Sequence, residues 1–132
     1  YYEDVNGNEQ LRPMERADFE NCIIYGKIES EIGIEETENT TFNYKFNNCL
    51  IKLIESDYDI SNTTHFSNNI INENPEFIQT MNLFEYNYEL DTLSAAQNSA
   101  ASNIALQFEY DLNGNYRFTD GSPDIGAYER IE

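Results

Sequence analysis

The chain has 132 residues and a formal net charge of −18, with 25 Asp and Glu against 7 Lys and Arg. That length suits one domain with a real core, and an apolar content of 39% with 14% aromatics excludes a disordered acidic tail. The acidity excludes nucleic acid and anionic membrane as partners, whereas a cation, Ca²⁺ first, is a partner such a surface attracts.

No stretch approaches the roughly 20 apolar residues of a membrane span. The chain starts at Tyr1 without Met or signal peptide, so it is expected to be a mature or trimmed piece of a longer protein. Tyr and Phe without Trp, together with many Ile and Asn, favour β-structure with frequent turns.

The first local signal is DVNGN (Asp4 to Asn8), an Asn-Gly turn. A repeat follows. FENCII (Phe19 to Ile24), FNNCLI (Phe46 to Ile51) and FSNNII (Phe66 to Ile71) share Phe-x-Asn-x-(Ile/Leu)-Ile at spacings of 27 and 20 residues. A fixed pattern with loops of variable length between its copies predicts stacked repeats. Phe42, Tyr44 and Phe46 alternate with Asn43 and Lys45, which predicts a strand with one buried face. After Asn48, Cys49, Ile51 and Leu53 are expected inside and Leu50, Lys52 and Ile54 outside. Asn tolerates the left-handed conformation of a bend between two strands. Asn21, Asn48 and Asn68 are therefore expected to form one ladder, with their amides bonded from layer to layer. Phe19, Phe46 and Phe66 are expected to form one core stack. Three similar strands of a β-sandwich are the alternative.

Cys22 and Cys49 share a register. Strand spacing of about 4.8 Å brings them within disulfide range, but parallel side-chain directions favour buried free thiols. Asn69 takes the equivalent place in the third copy. Lys27 to Glu36 sets Ile28, Ile32 and Ile34 on one face and charges on the other, which predicts a strand. His65, the only His, lies in a loop and is expected to be solvated. Asp57 with Asp59, and Glu35 with Glu36, are expected to be solvated charge rather than glycosidase carboxylates.

From about Gln79 the repeat stops. Tyr86 to Leu93 reads as one more strand and Ser94 to Leu106 as a region with a short helix. DLNGN (Asp111 to Asn115) repeats the first pentapeptide. Asp111, Asn113 and Asn115 present oxygens at alternate positions, like the start of a Ca²⁺ loop, but Tyr116 stands where such loops have Gly. A plain turn is the other reading. The chain closes on Pro123, Asp124, Ile125, Gly126, Ala127, Tyr128 and Glu129. This segment is expected to form a cap over the last coil, with a final strand in which Ile125 and Ala127 face the core and Gly126 allows close approach.

NCII, NPEF (Asn74 to Phe77), YELDTLSAAQNSA, DLNGNYR and PDIGAYE follow one another in an order that resembles the C-terminal end of right-handed parallel β-helix proteins of bacterial cell surfaces, the choice-of-anchor Q domain type. The resemblance runs from Phe19 to Glu129. It departs at Ser94 to Ala100, where the family has Ser-Pro-Ala-Ile-Asp-Ala-Gly and this chain lacks the Pro and the Gly and carries Asn98 for the Asp. It implies an all-β right-handed parallel β-helix of about three coils (1–78) and a C-terminal cap (79–132) in a single domain, secreted or at the cell surface of a bacterium and associated with carbohydrate.

No cap is evident before Phe19, so upstream coils of the parent chain, or end-to-end self-association, are expected to cover that end. The seven basic residues are scattered, and acidic polysaccharides would be repelled. Tyr25, Tyr44, Tyr58, Tyr86 and Tyr88 are candidates to stack on sugar rings, with Tyr44 placed inside by the alternation. The expected function is a structural and binding module for a neutral glycan or a surface protein, without catalytic residues or cofactor of its own beyond the Ca²⁺ candidate. The alternatives are a fragment of a β-helix polysaccharide lyase or glycosidase whose active site lies upstream, and a β-sandwich carbohydrate-binding module.

Overall fold

A computed structural model of the chain describes residues 2–82 and 84–131. The chain opens on a small antiparallel hairpin, β1 (Tyr2–Glu3) with β2 (Glu9–Gln10). Each copy of the repeat then makes two short strands on either side of its asparagine. The first copy gives β3 (Asp18–Glu20) and β4 (Ile23–Ile24), the second β5 (Lys45–Asn47) and β6 (Leu50–Ile51), and the third β7 (Phe66–Ser67) and β8 (Ile70–Ile71). Asn21, Asn48 and Asn68 lie at the joints with φ of 52°, 51° and 54°. A left-handed residue between two extended ones redirects the chain, and Asn is among the few residues with a side chain that adopt it readily. The two strands of each copy therefore enter different sheets.

Both sheets are parallel. β3, β5 and β7 pair with Phe19 opposite Phe46 and Phe46 opposite Phe66. β4, β6 and β8 pair with Ile23 opposite Leu50 and Leu50 opposite Ile70. The antiparallel pairing that a sandwich would require of these three segments is thus replaced by parallel register. Antiparallel pairing returns in β9 (Phe77–Gln79) with β10 (Asn87–Leu90). The protein is all-β, and the helical elements among the described residues are a 3-10 turn at Glu55–Asp57 and one helical turn, α1 (Ser102–Ala105).

Two apolar clusters hold the sheets. The inner one gathers Phe46, Cys49, Ile51, Leu53 and Phe66, with Tyr44 and Tyr58 against it. Its Phe rings stack, with centroids 4.8 Å apart for Phe19–Phe46 and 5.5 Å for Phe46–Phe66. The stack is open at one end, since Phe19 is 41% exposed and Phe66 only 5%. The second cluster joins Leu50, Leu90, Ala96 and Ile125, with Ile23, Ile70 and Phe77 packed on it. Leu50, expected outside, is fully buried here. Its face of the β4–β6–β8 sheet is covered by the C-terminal segment, and burying such a side chain is worth about 1.5–3 kcal/mol.

That segment does not lie as a lid on the last coil. It runs along the flank of the stack and reaches back to the first copy. Ala101 donates to Asn21 Oδ1 at 2.8 Å and accepts from Asn21 Nδ2 at 3.1 Å. Ile125 N–H donates to Ala96 O at 2.9 Å, and Gly126 N–H donates to Asn21 O at 3.0 Å. Gly126 has φ +111°, a conformation that favours glycine whatever the space, and a Cβ there would also stand 2.8 Å from Ile23 Cδ1 and displace it. Pro123 to Glu129 forms no strand. Pro123 has no N–H to give a ladder, and the N–H groups of Asp124 and Glu129 go to carboxylates. Ile125 faces the apolar cluster, while Ala127 is exposed and its carbonyl accepts from Leu112 N–H.

The strand expected over Lys27 to Glu36 is irregular chain instead. Ile32 and Ile34 do pack on the inner cluster, but Ile28 is 62% exposed. A tight turn accounts for this, because the Glu31 carboxylate accepts from Ile28 N–H at 2.9 Å.

Candidate functional site

Two adjoining hollows form a groove where the end of β4, the β9–β10 pair and residues 125–128 meet. Their volumes are about 580 and 450 Å³, and they share Tyr25, Phe77 and Tyr88. Local sequence explains the aromatic wall. In Tyr86-Asn87-Tyr88-Glu89-Leu90 the tyrosines alternate with polar residues as β10 begins, so both rings leave on one face. They lie 6.0 Å apart at 18°, and Tyr88 meets the edge of Phe77 at 5.3 Å. Tyr86 and Tyr88 are 48% and 50% exposed, so their outer faces are open to a ligand. Lys52 folds over Tyr25, its Nζ 5.1 Å from the ring centroid and donating to Gly26 O at 3.0 Å. Asn74, Glu76, Lys27 and Thr80 add polar groups along the smaller hollow.

A buried charged network fixes the groove's far wall. Arg117 Nη2 donates to Gly126 O at 3.0 Å, and Nη1 approaches Glu129 Oε2 at 3.4 Å. Glu129 accepts from Asp124 N–H, and the Asp124 carboxylate accepts from the N–H groups of Asn98 and Arg130. Burial pushes the Glu129 carboxyl up to about 7 and raises that of Asp124 as well, with hydrogen bonds opposing in both. Among the described residues every buried side-chain N or O atom has a partner. The network therefore sets backbone geometry, and the polar and aromatic groups left open to the groove are those of its rim.

The other sequence candidates are placed as follows. Asn21, Asn48 and Asn68 share a register and a backbone conformation, but the amides of Asn21 and Asn48 do not bond from layer to layer. They turn to the flanking segment, Asn48 Nδ2 approaching Ser99 O at 3.5 Å. Residues 99–101 present carbonyls beside this edge, which compete successfully for the amides. Asn69, at the Cys position of the third copy, accepts from Cys49 N–H and donates to Phe46 O, so its polar group is satisfied inside. His65 is not simply solvated. Its ring stacks on Tyr44 at 4.1 Å, with Nδ1 2.9 Å from Tyr44 O.

Asp111, Asn113 and Asn115 do come together. Asp111 Oδ1 accepts the N–H groups of Asn113 and Asn115 at 2.8 and 2.7 Å, and Oδ2 accepts Glu129 N–H at 2.8 Å. Asn113 Nδ2 donates to Glu89 Oε1. Among the described residues no group of three or more His, Cys, Asp or Glu is arranged to hold a metal ion. Cys22 and Cys49 are both free thiols.

Phe77 also lines the groove and was missed as a site residue, and Tyr128, expected as part of the cap, lines it as well. Phe77 stands in the NPEF motif, but nothing in the sequence pairs it with Tyr88. No family model matches the chain, and no curated protein or solved structure matches it either. Among the described residues, no helix is long and apolar enough to cross a membrane.

Proposed function

We propose that the chain is a non-catalytic structural and binding module that holds a neutral glycan in the tyrosine groove. The observation that carries this reading is the pair of half-exposed rings, Tyr86 and Tyr88, set beside amide and carboxylate groups. Sugar rings offer apolar C–H faces to aromatic surfaces and hydroxyls to polar rims. The net charge of −18 disfavours a polyanion and leaves a neutral glycan as the better ligand.

The wider setting we propose is the C-terminal part of a right-handed parallel β-helix protein, resembling the choice-of-anchor Q domain type and secreted or held at a bacterial surface. Support for the β-helix comes from the repeat, whose copies each give one strand to each of two parallel sheets around a left-handed Asn. The half-exposed Phe19 suits further coils of a parent chain.

Calorimetric titration with neutral oligosaccharides and a matched uronate oligosaccharide tests the binding reading. The expected result is saturable binding of a neutral ligand, weakened about tenfold, or about 1.4 kcal/mol, by Tyr86→Ala or Tyr88→Ala. Tighter binding of the uronate, or no effect of either substitution, overturns it.

A further inference from the structure

The two cysteines occupy equivalent places, each directly after a left-handed asparagine and in adjacent layers. Pairing of Glu20 with Asn47 and of Ile23 with Leu50 leaves Cys22 opposite Cys49. In-register neighbours on adjacent strands lie about 4.8 Å apart, inside the usual Cα range of a disulfide, about 4.4–6.8 Å. Parallel side-chain directions are the usual obstacle, but both residues sit in the joints between strands rather than within a ladder. Each thiol lies against a backbone carbonyl of the first layer. Cys49 Sγ reaches back across the layers to Phe19 O at 3.3 Å, and Cys22 Sγ lies 3.2 Å from Glu20 O.

Access differs between the two. Cys49 is fully buried. Cys22 is half-buried and lines the tyrosine groove, the hollow beside Arg117 and Asp124, and the apolar hollow beside Phe19. The neighbouring Cys49 thiol lowers the pKa of Cys22 against the opposing effect of burial, while Cys22 and burial together raise that of Cys49. Cys22 is the thiol that a reagent can reach, so it is the attacking group, and Cys49, buried behind it, is the resolving thiol.

We propose that Cys22 and Cys49 are a redox pair, which a small disulfide oxidises to an intramolecular bridge between the first two layers. Cys22 thiolate attacks one sulfur of the small disulfide, forming a mixed disulfide and expelling one thiolate. Cys49 then loses its proton and attacks the Cys22 sulfur, expelling the second. Two protein thiols are oxidised and one small disulfide is reduced to two thiols, so the electrons balance. The bridge would staple the stack at the end where Phe19 is exposed.

The test incubates the reduced 132-residue protein with oxidised glutathione, quenches with acid and alkylates under denaturing conditions before intact-mass and peptide analysis. The expected product has lost two hydrogens, takes up no alkylating agent, carries a Cys22–Cys49 linked peptide and returns to two free thiols with dithiothreitol. Cys49→Ser should accumulate the glutathione adduct on Cys22, and Cys22→Ser should react slower by roughly tenfold or more. A stable Cys22 adduct beside a free Cys49 in the parent protein, a disulfide-linked dimer, or unreacted thiols overturns the proposal. The linkage map of the parent protein decides the matter even if a serine variant does not fold.

Discussion

The chain builds the same turn twice, and the two copies have different standing. In DVNGN and DLNGN the leading Asp Oδ1 accepts the N–H groups of the third and fifth residues. These bonds are 2.8 and 3.0 Å in the first copy and 2.8 and 2.7 Å in the second. The glycines have φ of +78° and +84°. Around Asp4 the turn closes only a two-residue hairpin near the start. Around Asp111 it also receives Glu129 N–H, is tied to β10 through Asn113 and Glu89, and is 8% exposed. The pentapeptide encodes the shape, while its surroundings decide how much the fold depends on it.

Asp111→Ala should break the comparison most sharply. It strands three N–H groups in a partly buried site and should cost about 2–3 kcal/mol in chemical denaturation. Gly114→Ala comes next. Nothing lies within 4 Å of the added Cβ, so the cost is backbone strain alone, about 1–2 kcal/mol. Gly7→Ala imposes the same strain on a hairpin that can open separately, so the global midpoint should not move. Equal loss from both glycine variants would mean that the hairpin is integral to the fold.

Acid titration sharpens the contrast further. Burial opposes ionisation of Asp111, yet the N–H groups of Glu129, Asn115 and Asn113 outweigh it and hold the carboxyl below its ordinary 3.8. Its stabilising effect is therefore complete above that value and lost as pH falls through the lower folded one. Glu129, beside it, has the opposite sign. Its raised folded value means that the neutral form is favoured, so stability from this group is present below 4.5 and lost as pH rises to about 7. Glu129→Gln should remove that decline from the stability–pH curve, while Asp111→Asn should remove the acid limb. The smallest effect is expected for Asp4→Ala, whose carboxylate is held low only by Asn8 and Asn6 at the surface. Its thermal midpoint should match that of the parent protein, with faster amide exchange at Asn6 and Asn8 as the detectable change.

How legible this molecule is in its sequence depends on where each residue finds its partner. The Phe stack and the left-handed asparagines follow from a repeat whose copies meet each other, so the pattern contains both sides of each contact. Leu50 shows the limit. Its neighbour Lys52 marks that face as outer, and only residues some 40 to 75 positions further on, Leu90 and Ile125, cover it. A signal was nonetheless present, because the outer positions Ile23, Leu50 and Ile70 are aliphatic in all three copies, and an aliphatic row on a sheet face asks for a cover. The groove is less legible again. The sequence offers Tyr86 and Tyr88 as candidates without deciding whether they are exposed, and the wall opposite them comes from residues 125–128, positioned by Arg117 and two carboxylates. Side chains that act by holding distant backbone leave no periodic trace.

The reciprocal clasp between Asn21 and Ala101 has a consequence for synthesis. It joins residues 80 positions apart, so the layers can begin to pair while the aliphatic row on their outer face is still bare. At ribosomal rates of roughly 5–20 residues per second, that face waits several seconds for its cover. A nascent chain halted before residue 100 would present a sticky, partly ordered stack to chaperones, and its solubility would rise abruptly once the covering residues up to Ile125 emerged.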